Sequence, residues 1–373
     1  MDHLGRMGFS EAQADLLEVA TSFCREKSPV EKARKLLDDE KGYDPAVWNE
    51  IVALGWLGIA IPEEYDGAGL GLAEVAPVIE QMGRRLLAGP FCSSTLAAQA
   101  LLAGGTEEQR KTFLPQIIAG EIATLALSEE SGDWSLVHLK ARAERAGDKF
   151  SLSGVKNFVW DASAARWIIA SVLYEGEPAL VMIECGALPD GALRREVIID
   201  ETRRSYELKL DGVDVPASAL LDPAKARAAL AHIHLAANLL AAAEMVGGTQ
   251  AVIDYTIDYL QTRKQFGKLI GAYQGLKHPT VNAFTQYEQA RSHLYAAAHC
   301  FNEQGTGEIA TRMAKAEADK ALSYAADRAI QFHGGFGFTY ECDAQLYRRR
   351  AIWHASQYGD AAYHRRKLAE LIL

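Results

Sequence analysis

The sequence predicts an α+β fold that is mainly α, with an N-terminal helical domain, a middle β-barrel-like domain and a C-terminal four-helix bundle. Three observations carry this. Apolar residues recur at helical spacing up to residue 121, and period-two alternation replaces that spacing over residues 122–222. Long alanine-rich stripes with polar opposite faces follow from Ala224, joined by short connections, as in an antiparallel bundle. The expected domains are residues 1–121, 122–222 and 223–373.

The elements follow in order. Ser10 is a candidate N-cap for a first helix whose Leu16, Leu17, Ala20 and Phe23 share a face. Asp44 caps a second helix, with Pro45 at its first position and Trp48, Ile51 and Leu54 as its stripe. The glycine-rich stretch 61–71 cannot be regular helix. Helical spacing returns at 72–87, 96–102 and 107–118. Lys149 to Val159 alternates as a strand, and 167–173, 179–183 and 206–215 are further strand candidates. Long helices are expected over 236–259, 276–302 and 311–332, with a fourth after Ala351.

Composition bounds the function. The 373 residues are 49% hydrophobic and 24% charged, with a net charge of −10 and no long basic run. A general nucleic-acid surface is therefore not expected. The five cysteines (Cys24, Cys92, Cys185, Cys300, Cys342) are scattered, as in a reduced cytoplasmic protein rather than a disulfide scaffold. No signal peptide is visible, and no apolar run reads as long enough to span a bilayer. His278 and His333 lack the spacing of metal ligands, so no metal is expected.

Two stretches can carry ligand chemistry. Arg263-Lys264-Gln265-Phe266-Gly267, followed by Gln274, offers a guanidinium suited to a phosphate, two amides and a ring that can stack. Its plainer reading is a helix-end arginine in a surface salt bridge, with Phe266 in the core. Gln331-Phe332-His333-Gly334-Gly335-Phe336-Gly337-Phe338 offers bare backbone beside a glutamine. Its plainer reading is a helix stop with Gly334 as the left-handed cap.

The order of these stretches resembles the acyl-CoA dehydrogenases over nearly the whole chain. Gly55-Trp56-Leu57-Gly58, Ile61 to Tyr65, Ala126-Leu127-Ser128-Glu129, Lys156 to Val159 and Val213 to Pro216 support the same likeness. The resemblance implies FAD as cofactor and α,β-desaturation of an acyl-CoA thioester, in lipid metabolism of the β-oxidation kind. Electrons would pass to an electron-transfer flavoprotein. It implies that Arg263, Gln265, Phe266, Gln274, Gln331, Gly334 and Gly335 reach the dinucleotide of a neighbouring subunit. Ser128, Phe158 and Val159 would face the flavin by hydroxyl, ring and backbone. A shared site implies a tetramer, either of one chain or of two related chains.

The departures from the family pattern concern chemistry. Trp134 and Trp160 stand where hydroxyls are usual. The catalytic carboxylate of the family falls at Tyr358, or at Gln357 without a gap, and its alternative helix position falls at Ala237. Glu244, seven residues on and on the same helical face, is the nearest helix carboxylate, with Asp360 and Glu341 behind it. A second reading follows: a non-catalytic partner in a mixed tetramer, of the kind acting on steroid side-chain thioesters, lending flavin-binding residues to a neighbour. A flavin oxygenase on the same fold is a third.

Overall fold

A computed structural model gives the fold, and the structure describes residues 9–373. In chain order, six helices come first: α1 (Glu11–Lys27), α2 (Val30–Lys35), α3 (Pro45–Ala53), α4 (Leu72–Arg84), α5 (Phe91–Gly104) and α6 (Glu107–Ile118). Nine strands follow: β1 (Ala123–Ala126), β2 (Arg142–Ala146), β3 (Lys149–Ser153), β4 (Val155–Trp160), β5 (Trp167–Tyr174), β6 (Glu177–Glu184), β7 (Leu193–Arg195), β8 (Ser205–Lys209) and β9 (Val213–Pro216). The chain then becomes helical again with α7 (Ala226–Thr262), a hairpin of β10 (Lys264–Gln265) and β11 (Lys268–Leu269), α8 (Gln274–Cys300), α9 (Thr306–Phe332), α10 (Ala344–Ser356) and α11 (Ala361–Ile372). The helical, sheet, helical succession expected from the sequence is the one observed.

Local chemistry explains the starts. Ser10 and Gln13 form a reciprocal capping box on α1, and Asp44 caps α3 ahead of Pro45, as the sequence predicts. Two predicted elements divide. The alternation from Lys149 to Val159 breaks at Gly154, whose φ of +108° turns the chain, so β3 and β4 belong to different sheets. The expected last helix is two, α10 and α11, separated by residues 357–360.

The backbone gathers into two compact units. Among the described residues, one comprises 36–71 and 88–237 and the other 9–35, 72–87 and 238–373, so the boundary falls within α7. The first unit contains a six-stranded sheet in which β1 runs parallel to β5, and an antiparallel three-stranded sheet ordered β4-β8-β7. Leu152, Ile168, Ile169, Val172, Leu180 and Ile183 fill its core at 2% exposure or less. In the second unit α4 crosses α7 closely: a Cβ at Gly83 or Gly247 would collide with the backbone of Glu244 or Glu80, so only glycine fits.

The stretch Pro223–Thr262, containing α7, is long and apolar enough to cross a membrane by length and composition, which corrects the expectation that no such run exists. Burial explains the pattern, because 83% of its apolar window lies inside the protein.

Candidate cofactor surfaces and the base position

The second unit presents both ligand motifs outward. Arg263 follows the last residue of α7, its amide donating to the Tyr259 carbonyl at 2.9 Å, so it stands at a helix end as expected and there opens a two-residue hairpin. Phe266 and Gly267 form its turn with φ of +51° and +79°, the paired left-handed residues of a type I′ turn. The turn throws the Phe266 ring out to 92% exposure, so Phe266 is not a core residue. Arg263 and Gln265 are exposed, and Arg263 forms no ion pair among the described residues. Tyr273 braces the hairpin by donating to the Gln265 carbonyl at 3.2 Å and by lying under the Lys268 ammonium at 4.2 Å. Gln274 is the exposed first residue of α8, which has no side-chain cap on its amides.

The second motif is a short 3-10 helix, Gly334–Phe338, following α9. Gly334 is left-handed with φ of +61°, and nothing lies within 4 Å of where a Cβ on Gly334 or Gly335 would stand. Bare backbone therefore faces open space there, beside the exposed Gln331. The segment is held from behind. Gln345 donates to the Gly337 carbonyl at 2.6 Å. Arg34 donates to the carbonyls of Tyr340 and Glu341 at 2.9 and 3.0 Å and to the Asp343 carboxylate at 2.8 Å.

The base position is the opposite case. Tyr358 has φ of +55°, and burial pushes its phenol well above its ordinary range, so it is no proton acceptor near neutrality. Gln357 is buried and donates to Ser356 at 3.1 Å. The loop is pinned by the fully buried Lys315, which donates to the carbonyls of His354 and Gly359 at 3.0 and 2.9 Å. Asn238 donates to the Tyr358 carbonyl at 3.2 Å, and Asp319 accepts from the Ala361 amide at 3.1 Å. Asp360 is spent as the N-cap of α11, while Glu341 is exposed.

Glu244 is buried at 3% exposure in an ion pair with Arg350, and His354 Nε2 lies 3.3 Å from its other oxygen. The structure thus places the candidate carboxylate in a charge cluster with Arg350, itself 1% exposed. The run of three arginines also divides: Arg348 pairs with Asp327 at 2.7 Å and Arg349 lies over the Tyr340 ring.

In the first unit, Ser128 bridges to Asn157, whose amide donates to the Ser128 carbonyl at 2.9 Å. Pairing of β4 with β8 shifts between Lys156 and Val159, and this bulge puts Phe158 at φ of +56° with its ring 42% exposed. Val159 is fully buried, backbone included, so it is not presented at the surface as the expected flavin contact would require. Ala237, the other base position, is a buried residue of α7.

Several important residues escape sequence reading. Glu196 accepts from the Phe158 amide at 3.1 Å and from Ser205 at 2.7 Å, fixing the bulge. Lys156 and Glu129 form a buried pair at 2.7 Å, with Ser171 accepting from Lys156 at 3.0 Å. Burial opposes ionisation of Glu129, but Lys156 and the amides of Ala141 and Lys140 outweigh it and hold the carboxyl below its ordinary value. Burial pulls the Lys156 ammonium down to about 8, still protonated at neutral pH. The available signal was a lysine inside a strand whose other residues, Asn157 apart, are apolar.

This succession of helical, sheet and helical parts is the fold of a class of flavoprotein oxidoreductases. The chain belongs to the acyl-CoA dehydrogenase family, whose members are FAD-dependent oxidoreductases. Residues 10–121 match the family's N-terminal domain and residues 234–373 its C-terminal domain. Acyl-CoA dehydrogenase fadE12 of Mycobacterium bovis is 31% identical over 331 residues, covering 84% of this chain and 82% of that protein. Acyl-CoA dehydrogenase IpdE2 of Mycolicibacterium smegmatis is 28% identical, covering 96% and 98%. Among solved structures, a variant of the Tcur3481-Tcur3483 steroid ACAD superposes with a TM-score of 0.87 at 27% identity, covering 97% of this chain and 98% of that one. Glutaryl-coenzyme A dehydrogenase with glutaryl-CoA gives 0.89 at 25%, covering 97% and 95%.

Proposed function

We propose that this chain is the cofactor-lending subunit of a mixed acyl-CoA dehydrogenase tetramer, and that the assembly α,β-desaturates an acyl-CoA thioester and passes the electrons to an electron-transfer flavoprotein. One observation carries the reading: the two dinucleotide-facing motifs are built outward and left uncommitted, while neither base position carries a carboxylate and Glu244 is locked to Arg350.

FAD, when bound, supplies the acceptor for the β-hydride of the thioester. The roles of this chain are binding and orientation. The Arg263 guanidinium neutralises phosphate charge, Gln265 and Gln274 add amide hydrogen bonds, and Phe266 offers a stacking face. Gln331 and the amides at Gly334 and Gly335 approach the same dinucleotide, because no side chain stands in front of them. In the first unit, the exposed Phe158 ring and the Ser128 hydroxyl would be the groups available to a flavin. The α-proton goes to a carboxylate of the partner chain, since Tyr358 cannot accept it. A steroid side-chain thioester is the favoured substrate class, in keeping with the paired steroid enzyme at 27% identity. We place the assembly in the cytoplasm, in keeping with five cysteines that form no disulfide.

Purification with and without a related chain tests this. Flavin that appears only on co-expression, and bleaches with acyl-CoA, is the expected result. A yellow chain that bleaches alone would instead make it a self-sufficient homotetrameric enzyme.

A further inference from the structure

His333 stands where α9 hands over to the exposed Gly334–Phe338 segment. The ring is 3% exposed. Tyr255 and Tyr259, one turn apart on α7, stack on it with centroids 4.7 and 4.2 Å away and planes inclined by 11° and 25°. Nδ1 lies 2.7 Å from the Ala329 carbonyl, so in the neutral ring Nδ1 carries the hydrogen and donates it. Nε2 is then an acceptor, buried without a hydrogen-bond partner among the described residues.

A proton added to Nε2 would place a positive charge and an unanswered N–H in a buried site. The groups facing the ring are few. From α7 come the two tyrosines, and the Tyr255 hydroxyl lies 3.8 Å from Cys342. From α9 comes the Ala329 carbonyl, and from the exposed segment Phe336, 6.2 Å away. Asp343 adds a charge that Arg34 already engages at 2.7 Å. Burial therefore pulls the imidazole below its ordinary 6.5, with the Ala329 carbonyl and Asp343 opposing more weakly.

We propose that His333 is a positioning residue for the diglycine surface: neutral, it locks the exit from α9, and uptake of a proton in acid releases the lock and loosens the hold of Gly334 and Gly335 on a dinucleotide phosphate. The dinucleotide half of this rests on the functional reading above. Because the folded value is depressed, the lock is complete above 6.5 and is lost as pH falls from there towards the folded value. A proton bound with ordinary affinity in the released form and more weakly in the folded one favours release, by at most about tenfold at pH 5.5.

Hydrogen–deuterium exchange on the full chain, at pH 7.5 and 5.5 and corrected for intrinsic rates, reads the lock in peptides covering residues 333–343. Wild type is expected to lose protection at the lower pH, by at most about tenfold. His333→Phe keeps a stacking ring and His333→Gln keeps a donor for Ala329, but neither titrates, so both are expected to show no such loss. Equal loss in all three proteins, or none in wild type, overturns the lock. With the related chain present, added FAD is expected to protect the same peptides at pH 7.5 and less at pH 5.5. Absence of that protection at pH 7.5 overturns the dinucleotide assignment, while the ligand-free comparison still decides the lock.

Discussion

Two short connections in the C-terminal helical part, the Arg263 hairpin and the loop at residues 357–360, are built on opposite plans. The hairpin turns on two left-handed residues and sends Arg263, Gln265 and Phe266 into solvent. The loop also carries left-handed residues, Tyr358 and Gly359, yet Lys315, Asn238 and Asp319 tie its backbone inward. Exposed charge without a partner has no folding role to explain it, whereas a polar group met on every side does. The difference separates residues with no role in the scaffold from residues that hold it together.

Substitutions can break that comparison. Glu244→Ala should have the largest effect on stability, about 3–5 kcal/mol, because Arg350 is left as an uncompensated buried charge. Urea denaturation checks it, and a change under about 1 kcal/mol would mean the pair is not structural. Arg263→Ala should cost the assembly about 1.5–3 kcal/mol of FAD binding, the worth of a charge-assisted contact, while unfolding stays within about 0.5 kcal/mol of wild type. Flavin titration against denaturation separates the two quantities, and loss of stability without loss of flavin contradicts the assignment.

A smaller, pH-dependent effect belongs to Glu129. Its folded carboxyl lies below the ordinary value, so its contribution is complete above about 4.3 and disappears as pH falls through the folded value. The stability gap between wild type and Glu129→Gln should therefore close in acid, and thermal unfolding across pH 3–6 will show whether it does. Phe266→Ser should change stability least, by under about 0.5 kcal/mol, since the ring is 92% exposed. A larger destabilisation would return Phe266 to the core.

The sequence made the three-part succession legible because period changes are local. The caps at Ser10 and Asp44 were equally readable, since capping needs only neighbours within three residues. The division of β3 from β4 at Gly154 was not, because the same alternation suits one long strand or two. Arg263 was legible as a helix end, but the hairpin after it was not, because a two-residue hairpin leaves no periodic trace. The fates of the charged groups were hidden for a different reason. Glu244 meets Arg350 across 106 positions of chain and Lys156 meets Glu129 across 27, distances over which periodicity says nothing.

Acyl-CoA-dependent bleaching of the flavin band, measured anaerobically on this chain alone and on this chain with its partner, tests the central claim most directly. No bleaching is expected from the chain alone and full bleaching from the pair, with Arg263→Ala in this chain lowering the flavin content of the pair. A chain that purifies alone with full flavin and bleaches on adding an acyl-CoA would contradict that claim.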